Sequence, residues 1–313
     1  MARILVTTDY LHPGDEIDDL LRSNGHTTVY SPARGSRQPG ELADLLTTAD
    51  AVLAASEPIT AEMLVQATSL KIIARSGVGY DSVDIDAAAA RSIVVTNTPG
   101  ANSNAVAEMA LMLILMCARR VGDTLDGVER GDWPRNDTVE LRGSTLGIVG
   151  FGPSAKLLAG LARAVGMRVL VHTAYPDETI DVQYRELDAV LGDSDFVSLH
   201  ARPTADTVGL IGAREFGLMK NTASLINTAR GSLVDEDALV AAVRTHQIAG
   251  AGLDVVDVEP LPANSPLREF PNVVITSHLA GQTVQARASA SRAAAEEILR
   301  VLNGLPPASP VRA

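Results

Sequence analysis

The chain has 313 residues, a formal net charge of −12 from 26 Lys and Arg against 38 Asp and Glu, and 46% hydrophobic but only 3% aromatic residues. Its length suggests two domains, its apolar content excludes a disordered chain, and its acidic balance argues against a nucleic-acid partner. Any anionic ligand must be held locally, by placed arginines or helix N-termini. The single cysteine, Cys117, excludes an intramolecular disulfide and a thiolate-rich metal site, so no metal is expected.

In chain order, Arg3–Thr8 reads as a strand rather than the core of a signal peptide, and the expected location is the cytoplasm. Helical spacing at Ile17–Ser23 and Ala61–Ala67 alternates with strand-like runs at Ala51–Ala54, Leu70–Ala74 and Ile93–Asn97. Asn97-Thr98-Pro99-Gly100 ends a first unit, and the helix Ser103–Arg120 follows. Its apolar stretch, Met109 to Ala118, falls far short of the roughly 20 residues of a membrane span and predicts a buried helix, with no membrane partner. Arg130–Glu140, with Trp133, is polar enough to be an arm reaching elsewhere.

The second half repeats the alternation with purer strands: Leu146–Gly150, Val169–His172, Phe196–His200, Ser224–Asn227, Gly252–Val256 and Val273–Thr276. Strands apolar on both faces and separated by helices predict parallel sheets covered on each side. The fold class expected is α/β, with two doubly wound parallel-sheet domains. The last helix, Val284–Leu302, packs back onto the first unit in this reading, with Pro306, Pro307 and Pro310 in a frayed tail. The domains are then 1–98 plus 283–313, discontinuous, and 99–282.

Gly150-Phe151-Gly152-Pro153-Ser154-Ala155 joins a strand to the helix Lys156–Val165. Gly150 permits a tight turn, Gly152 lets backbone approach a pyrophosphate, and Ala155 permits close helix–strand packing. Pro153 has no N–H, so the donors are Ser154, Ala155 and the helix dipole. About 20 residues on, an acid should hold the ribose of a dinucleotide. Thr173 stands there instead, and the nearest acid is Asp177. NAD and NADP both remain open, with Arg202 as a loop cation able to meet a 2′-phosphate or simply to be solvated.

Three segments end strands where open α/β sheets bind ligands: Asn227–Gly231, Leu253–Pro260 and Thr276–Gly281. They carry Arg230, Glu259 and His278. An imidazole exchanges protons near neutrality, a neighbouring carboxylate favours its charged form, and an arginine grips a carboxylate through two bonds. Each taken singly has a bland reading as a loop residue or a surface charge.

The chain resembles the D-isomer-specific 2-hydroxyacid dehydrogenase family over essentially its whole length. The matching strings are Gly77–Asp84, Asn97–Ser103 with Val106-Ala107-Glu108, Gly150–Ala155, Asn227–Gly231 running into Val234-Asp235-Glu236, Gly252–Pro260 and Ser277-His278. The resemblance implies a Rossmann cofactor domain, a flavodoxin-like substrate domain and a homodimer built through the cofactor domains. It implies His278 as acid/base, Glu259 as the carboxylate keeping it protonated for reduction, and Arg230 as the substrate-carboxylate and carbonyl ligand. The N–H groups of Val78 and Gly79 match the carboxylate-binding turn of the substrate domain. Asp254 matches the residue receiving the nicotinamide carboxamide, with Thr228 and Gly281 in the same cofactor set. Three departures stand out: Ser277 where a proline is common, Arg202-Pro203 for Pro-Leu, and Thr173 for the acid.

Arg75, two residues before the glycine turn, and Trp133-Pro134-Arg135 resemble the 3-phosphoglycerate dehydrogenase branch in a short form. The expected substrate is a small anionic D-2-hydroxy or 2-oxo acid with a second anionic group held by Arg75, 3-phosphoglycerate first and a phosphonate or dicarboxylate analogue next. Alternatively, Arg75 pairs with Asp81 or Asp84. The end of the chain at Ala313 leaves no regulatory domain in this reading. A non-enzymatic, cofactor-sensing corepressor-like protein is the competing class, and formate dehydrogenases resemble a Gln at the position of Glu259.

Overall fold

The computed structural model describes residues 1–32, 38 and 40–312. In chain order come β1 (Arg3–Val6), α1 (Glu16–Ser23), β2 (Thr27–Tyr30), α2 (Glu41–Leu46), β3 (Ala51–Ala54), α3 (Ala61–Gln66), β4 (Ile72–Arg75), α4 (Ile85–Ala90) and β5 (Val94–Thr96). Next are α5 (Ser103–Ala118), α6 (Val121–Glu129), β6 (Thr145–Val149), α7 (Pro153–Ala164), β7 (Arg168–His172), β8 (Gln183–Tyr184), α8 (Leu187–Asp193) and β9 (Phe196–Leu199). They are followed by α9 (Ala213–Leu218), β10 (Ser224–Asn227), α10 (Glu236–Arg244), β11 (Gly250–Leu253), β12 (Val273–Ile275) and α11 (Val284–Leu302). The chain forms two compact units, Met1–Asn102 with Gln282–Ala313, and Ser103–Gly281.

The first unit is a parallel sheet in the order β2-β1-β3-β4-β5. That order is the flavodoxin-like one. Its strands read as continuous apolar runs because both faces are covered, with Ile4, Leu5, Val52, Leu53, Ile72 and Ile73 fully buried. α11 lays Ala294, Ala295 and Ile298 against Ile4 and Val6, so the last helix completes the core begun by the first strand. The segment after it is not frayed. Prolines stop a helix but suit an extended edge. Val311 N–H donates to Val95 O at 2.8 Å, and the buried Glu297 carboxylate accepts from the N–H groups of Ala308 and Ser309.

The second unit is a parallel sheet of seven strands in the order β12-β11-β10-β9-β6-β7-β8. Numbered from β6 it runs 3-2-1-4-5-6 with one more strand, the Rossmann order, and the direction of winding reverses between β6 and β9. α5 packs Ala107, Ala110, Leu113 and Ile114 into the core that β6 and α7 share. The helix expected over Ser103–Arg120 breaks at Ala118. Arg120 takes a left-handed φ of 48° and starts α6 in a new direction. The sequence pattern overlooks β2 and β8, sheet-edge strands with half-buried or polar residues and so no apolar run. α7 starts at Pro153, where a missing N–H costs nothing. No helix among the described residues is long and apolar enough to cross a membrane.

Candidate active site

β6 delivers the chain into the glycine turn. Gly150 has φ +88°, and a Cβ there would lie 2.6–2.8 Å from the backbone of His200 and Ala201, so only glycine fits. Its N–H donates to His172 O at 2.8 Å. Gly152 is the N-cap of α7, and the direction its Cβ would take is open space. The N–H groups of Ser154 and Ala155 lie in the first turn, where a helix offers no acceptor of its own and its dipole is positive. At the end of β10, the buried Thr228 Oγ1 has no hydrogen-bond partner among the described residues. A bare backbone and a helix start after β6, and an orphaned hydroxyl after β10 on the far side of β9, fit a dinucleotide.

Thr173 follows β7, and its hydroxyl accepts from Tyr175 N–H at 3.2 Å. Asp177 is engaged elsewhere. Lys156 Nζ on α7 lies 2.5 Å from its carboxylate, and that bond with those from Thr179 holds the carboxyl down at about 2. Arg202 is exposed.

The candidate residues Arg230, Glu259 and His278 stand on the ends of three adjacent strands. After β10, Asn227 staples its own loop: its Nδ2 donates to Arg230 O at 2.8 Å and its Oδ1 accepts from Ala229 N–H at 3.0 Å. Gly231 then passes so close to the β11 loop that a Cβ would lie 2.0 Å from Val256 O. This approach sets Arg230 beside the loop that carries Glu259. Glu259 Oε2 lies 2.8 Å from His278 Nδ1, with both side chains part-exposed. Glu259 and His278 are thus brought together as a hydrogen-bonded couple, while Arg230 stands next to Gly231 on the neighbouring loop, with its Nη1 donating to Ala229 O at 2.7 Å.

Asp254, directly after β11, is 1% exposed and organises the histidine loop. Its Oδ1 accepts from Thr276 Oγ1 at 2.6 Å and Leu279 N–H at 2.8 Å, and its Oδ2 accepts from Ala280 N–H at 2.8 Å. Its carbonyl accepts from His278 N–H at 2.8 Å. These bonds hold His278 at φ +58°, a left-handed conformation that costs a non-glycine residue energy and concentrates at functional sites. Gly281 ends this loop. The loop-bracing role of Asp254 escapes sequence reasoning, because its donors lie more than twenty residues away.

In the first unit, the turn after β4 has its carbonyls engaged. Gly77 O accepts from Thr98 N–H, Val78 O from Asn97 Nδ2 at 2.7 Å, and Gly79 O from Arg75 Nε at 3.2 Å. The N–H groups of Val78 and Gly79 have no acceptor among the described residues. Arg75 is buried, and its Nη1 also donates to Ala54 O at 3.1 Å. Arg75 therefore braces the turn from beneath.

A cavity of about 290 Å³ lined by Arg168, Gln183, Arg185, Asp193 and Lys220 lies at the entry ends of the strands, away from these loops. Among the described residues, no group of three or more His, Cys, Asp or Glu is placed to hold a metal ion.

Residues 111–280 match the family model described as D-isomer specific 2-hydroxyacid dehydrogenase, NAD binding domain. The chain is 40% identical over 305 residues to a glyoxylate reductase of Aeropyrum pernix, covering 93% of this chain and 88% of that one. It is 38% identical over 322 residues to a D-3-phosphoglycerate dehydrogenase of Synechocystis sp., covering 99% of this chain but only 56% of that longer protein. The crystal structure of the TT0316 protein from Thermus thermophilus superposes with a TM-score of 0.91 at 38% identity, covering 99% of this chain and all of that one. With the two parallel sheets, the glycine turn and the Glu259–His278 couple, these matches identify the chain as a member of the D-isomer specific 2-hydroxyacid dehydrogenase family.

Proposed function

We propose that the protein is an oxidoreductase that moves a hydride between a nicotinamide cofactor and a small D-2-hydroxy acid or its 2-oxo counterpart. The observation that carries this reading is the 2.8 Å contact between Glu259 Oε2 and His278 Nδ1. With Nδ1 committed to the carboxylate, Nε2 is the nitrogen that exchanges a proton with the substrate.

In this reading Gly150, Gly152, Ser154 and Ala155 hold the pyrophosphate, Thr173 the adenosine ribose, and Thr228, Asp254 and Gly281 the nicotinamide end. The nicotinamide supplies the hydride in reduction and takes it in oxidation. Arg230 grips the substrate carboxylate and polarises the 2-oxo group, so that charge developing on that oxygen meets a guanidinium. His278 gives its Nε2 proton to the same oxygen as the alcohol forms, and takes it back in the reverse direction. Glu259 fixes the imidazole by Nδ1 and balances its charge. The N–H groups of Val78 and Gly79 serve as a carboxylate-binding turn. The cofactor is NAD, and NADP is the alternative, because a threonine hydroxyl at position 173 does not repel a 2′-phosphate. A homodimer through the second unit is supported by the exposed apolar residues Leu125 and Val128 on α6 and Trp133 on the following arm.

A second reading places a further substrate anion, as in 3-phosphoglycerate, on Arg75; it is motivated by the D-3-phosphoglycerate dehydrogenase among the relatives, at 38% identity. Steady-state assays with glyoxylate, pyruvate, 3-phosphohydroxypyruvate and phosphonopyruvate, each with NADH and NADPH, test both. Turnover of none of them overturns the enzyme reading. If Arg75 only braces the turn, Arg75→Ala lowers kcat/KM equally for glyoxylate and 3-phosphohydroxypyruvate. A loss confined to the phosphorylated acid supports the second anion.

A further inference from the structure

The pyrophosphate turn of this chain is short of a donor, because Pro153 stands at the first helical position and has no N–H. A side-chain arrangement beneath the turn supplies one. Ser198, fully buried in β9, places its Oγ 3.0 Å from Nε2 of His200. Nδ1 of the same ring lies 3.2 Å from Oγ of Ser154, the second residue of α7. The histidine is fixed from the backbone as well. Its N–H donates to Val149 O at 2.7 Å, and the Gly150 turn packs directly on its carbonyl carbon.

The direction of these bonds follows from counting protons. A neutral imidazole has one donor and one acceptor nitrogen. The Ser198 hydroxyl has the His200 ring as its sole hydrogen-bond partner among the described residues, and a buried O–H must find an acceptor. Its hydroxyl therefore donates to Nε2, the ring proton sits on Nδ1, and Nδ1–H donates to Ser154 Oγ. The reverse order would leave the Ser198 proton stranded in the interior. Enclosure of the ring lowers its proton affinity, so the chain of bonds is intact at neutral pH. Ser154 then accepts from below, and its own O–H is directed out of the interior at the start of α7, beside the open face of Gly152.

We infer that His200 is a positioning residue for cofactor binding: it orients the Ser154 hydroxyl as a donor to the dinucleotide pyrophosphate, in place of the N–H that Pro153 lacks. The inference rests on the reading of Gly150–Ala155 as a dinucleotide site.

Titration calorimetry on the full chain with NADH, ADP-ribose and adenosine tests it without recourse to turnover. Ser154→Ala is expected to weaken NADH and ADP-ribose about tenfold, the worth of one charge-assisted hydrogen bond, and to leave adenosine unchanged. His200→Leu should lose as much, and the double variant no more than either single one. His200→Asn, whose amide nitrogen reproduces the Nδ1 donor, should recover most of the loss. Should His200→Leu fail to fold, Ser198→Ala with Ser154→Ala provides the same cycle. Unchanged affinity in Ser154→Ala, or losses that add in the double variant, overturns the inference alone. A wild-type chain that binds neither NADH nor ADP-ribose overturns the dinucleotide reading and the inference with it.

Discussion

Glu259 and His278 meet at 2.8 Å between Oε2 and Nδ1, on loops that leave the adjacent strands β11 and β12. Both side chains are more than a third exposed, so the couple adds little to folding stability, and its value lies in aiming the ring. If His278 carries the proton, as proposed, replacing it by alanine is expected to lower kcat by roughly a hundredfold to ten-thousandfold. Glu259→Gln keeps an acceptor but not the charge and should cost less. NADH affinity measured by calorimetry should be unchanged in both. A His278→Ala enzyme with wild-type kcat would exclude His278 as acid/base.

Asp254→Asn tests the bracing of the histidine loop. The carboxylate accepts three bonds from Thr276, Leu279 and Ala280, and an amide can match at most the two on one oxygen. Its NH2 group would face the Ala280 N–H, donor against donor. The expected cost is about 1–3 kcal/mol of stability, read from urea midpoints. A fall in kcat should accompany it as His278 leaves its left-handed conformation. Wild-type stability and kcat together would show that the loop holds itself.

Much of this arrangement is legible in the sequence. The parallel sheets follow from apolar runs such as Leu146–Val149 and Ala51–Ala54, because strands buried on both faces carry no polar alternation. The glycine turn and the Arg230, Glu259 and His278 loops are readable because strand ends are where such sheets place ligands. What is not legible depends on partners far apart in the chain. His200 meets Ser154 across 46 residues, and Asp254 meets Ala280 across 26, with no local pattern to announce either. Arg75 shows the limit from the other side. Its position beside a glycine turn suggests an anion ligand, yet its buried guanidinium lies on the Ala54 and Gly79 carbonyls.

Cys117 offers a probe of the second unit. It sits on α5, packed near β11, where burial pushes the thiol up to about 12. At pH 8 the thiolate fraction is then roughly one in ten thousand, and thiolate is the reactive form. A disulfide reagent such as DTNB should leave the native protein unmodified and titrate one thiol in denaturant, since the chain has no other cysteine. Rapid release of one equivalent from the native state would contradict the packing of α5.

His200 makes a prediction about acid stability whose sign is fixed by its surroundings. Enclosure of the ring lowers it from 6.5 to about 4 in the folded protein. The unfolded chain therefore binds the additional proton first, and the folded state loses stability as pH falls from 6.5 toward 4. Above 6.5 both states are neutral at this residue, and below 4 both are charged, so the loss is confined to that window. At about 1.4 kcal/mol per unit, the full effect is on the order of 3 kcal/mol. Carboxylates titrate in the same range, so the comparison must be with His200→Asn, which keeps a donor toward Ser154 but has no proton to gain. Urea midpoints at pH 7.5, 6, 5 and 4 should fall more steeply in the wild type than in the variant, and the difference should build up between pH 6.5 and 4. Parallel curves for the two proteins would mean that the ring gains its proton as readily folded as unfolded, and that the interior around Ser198 admits a charge.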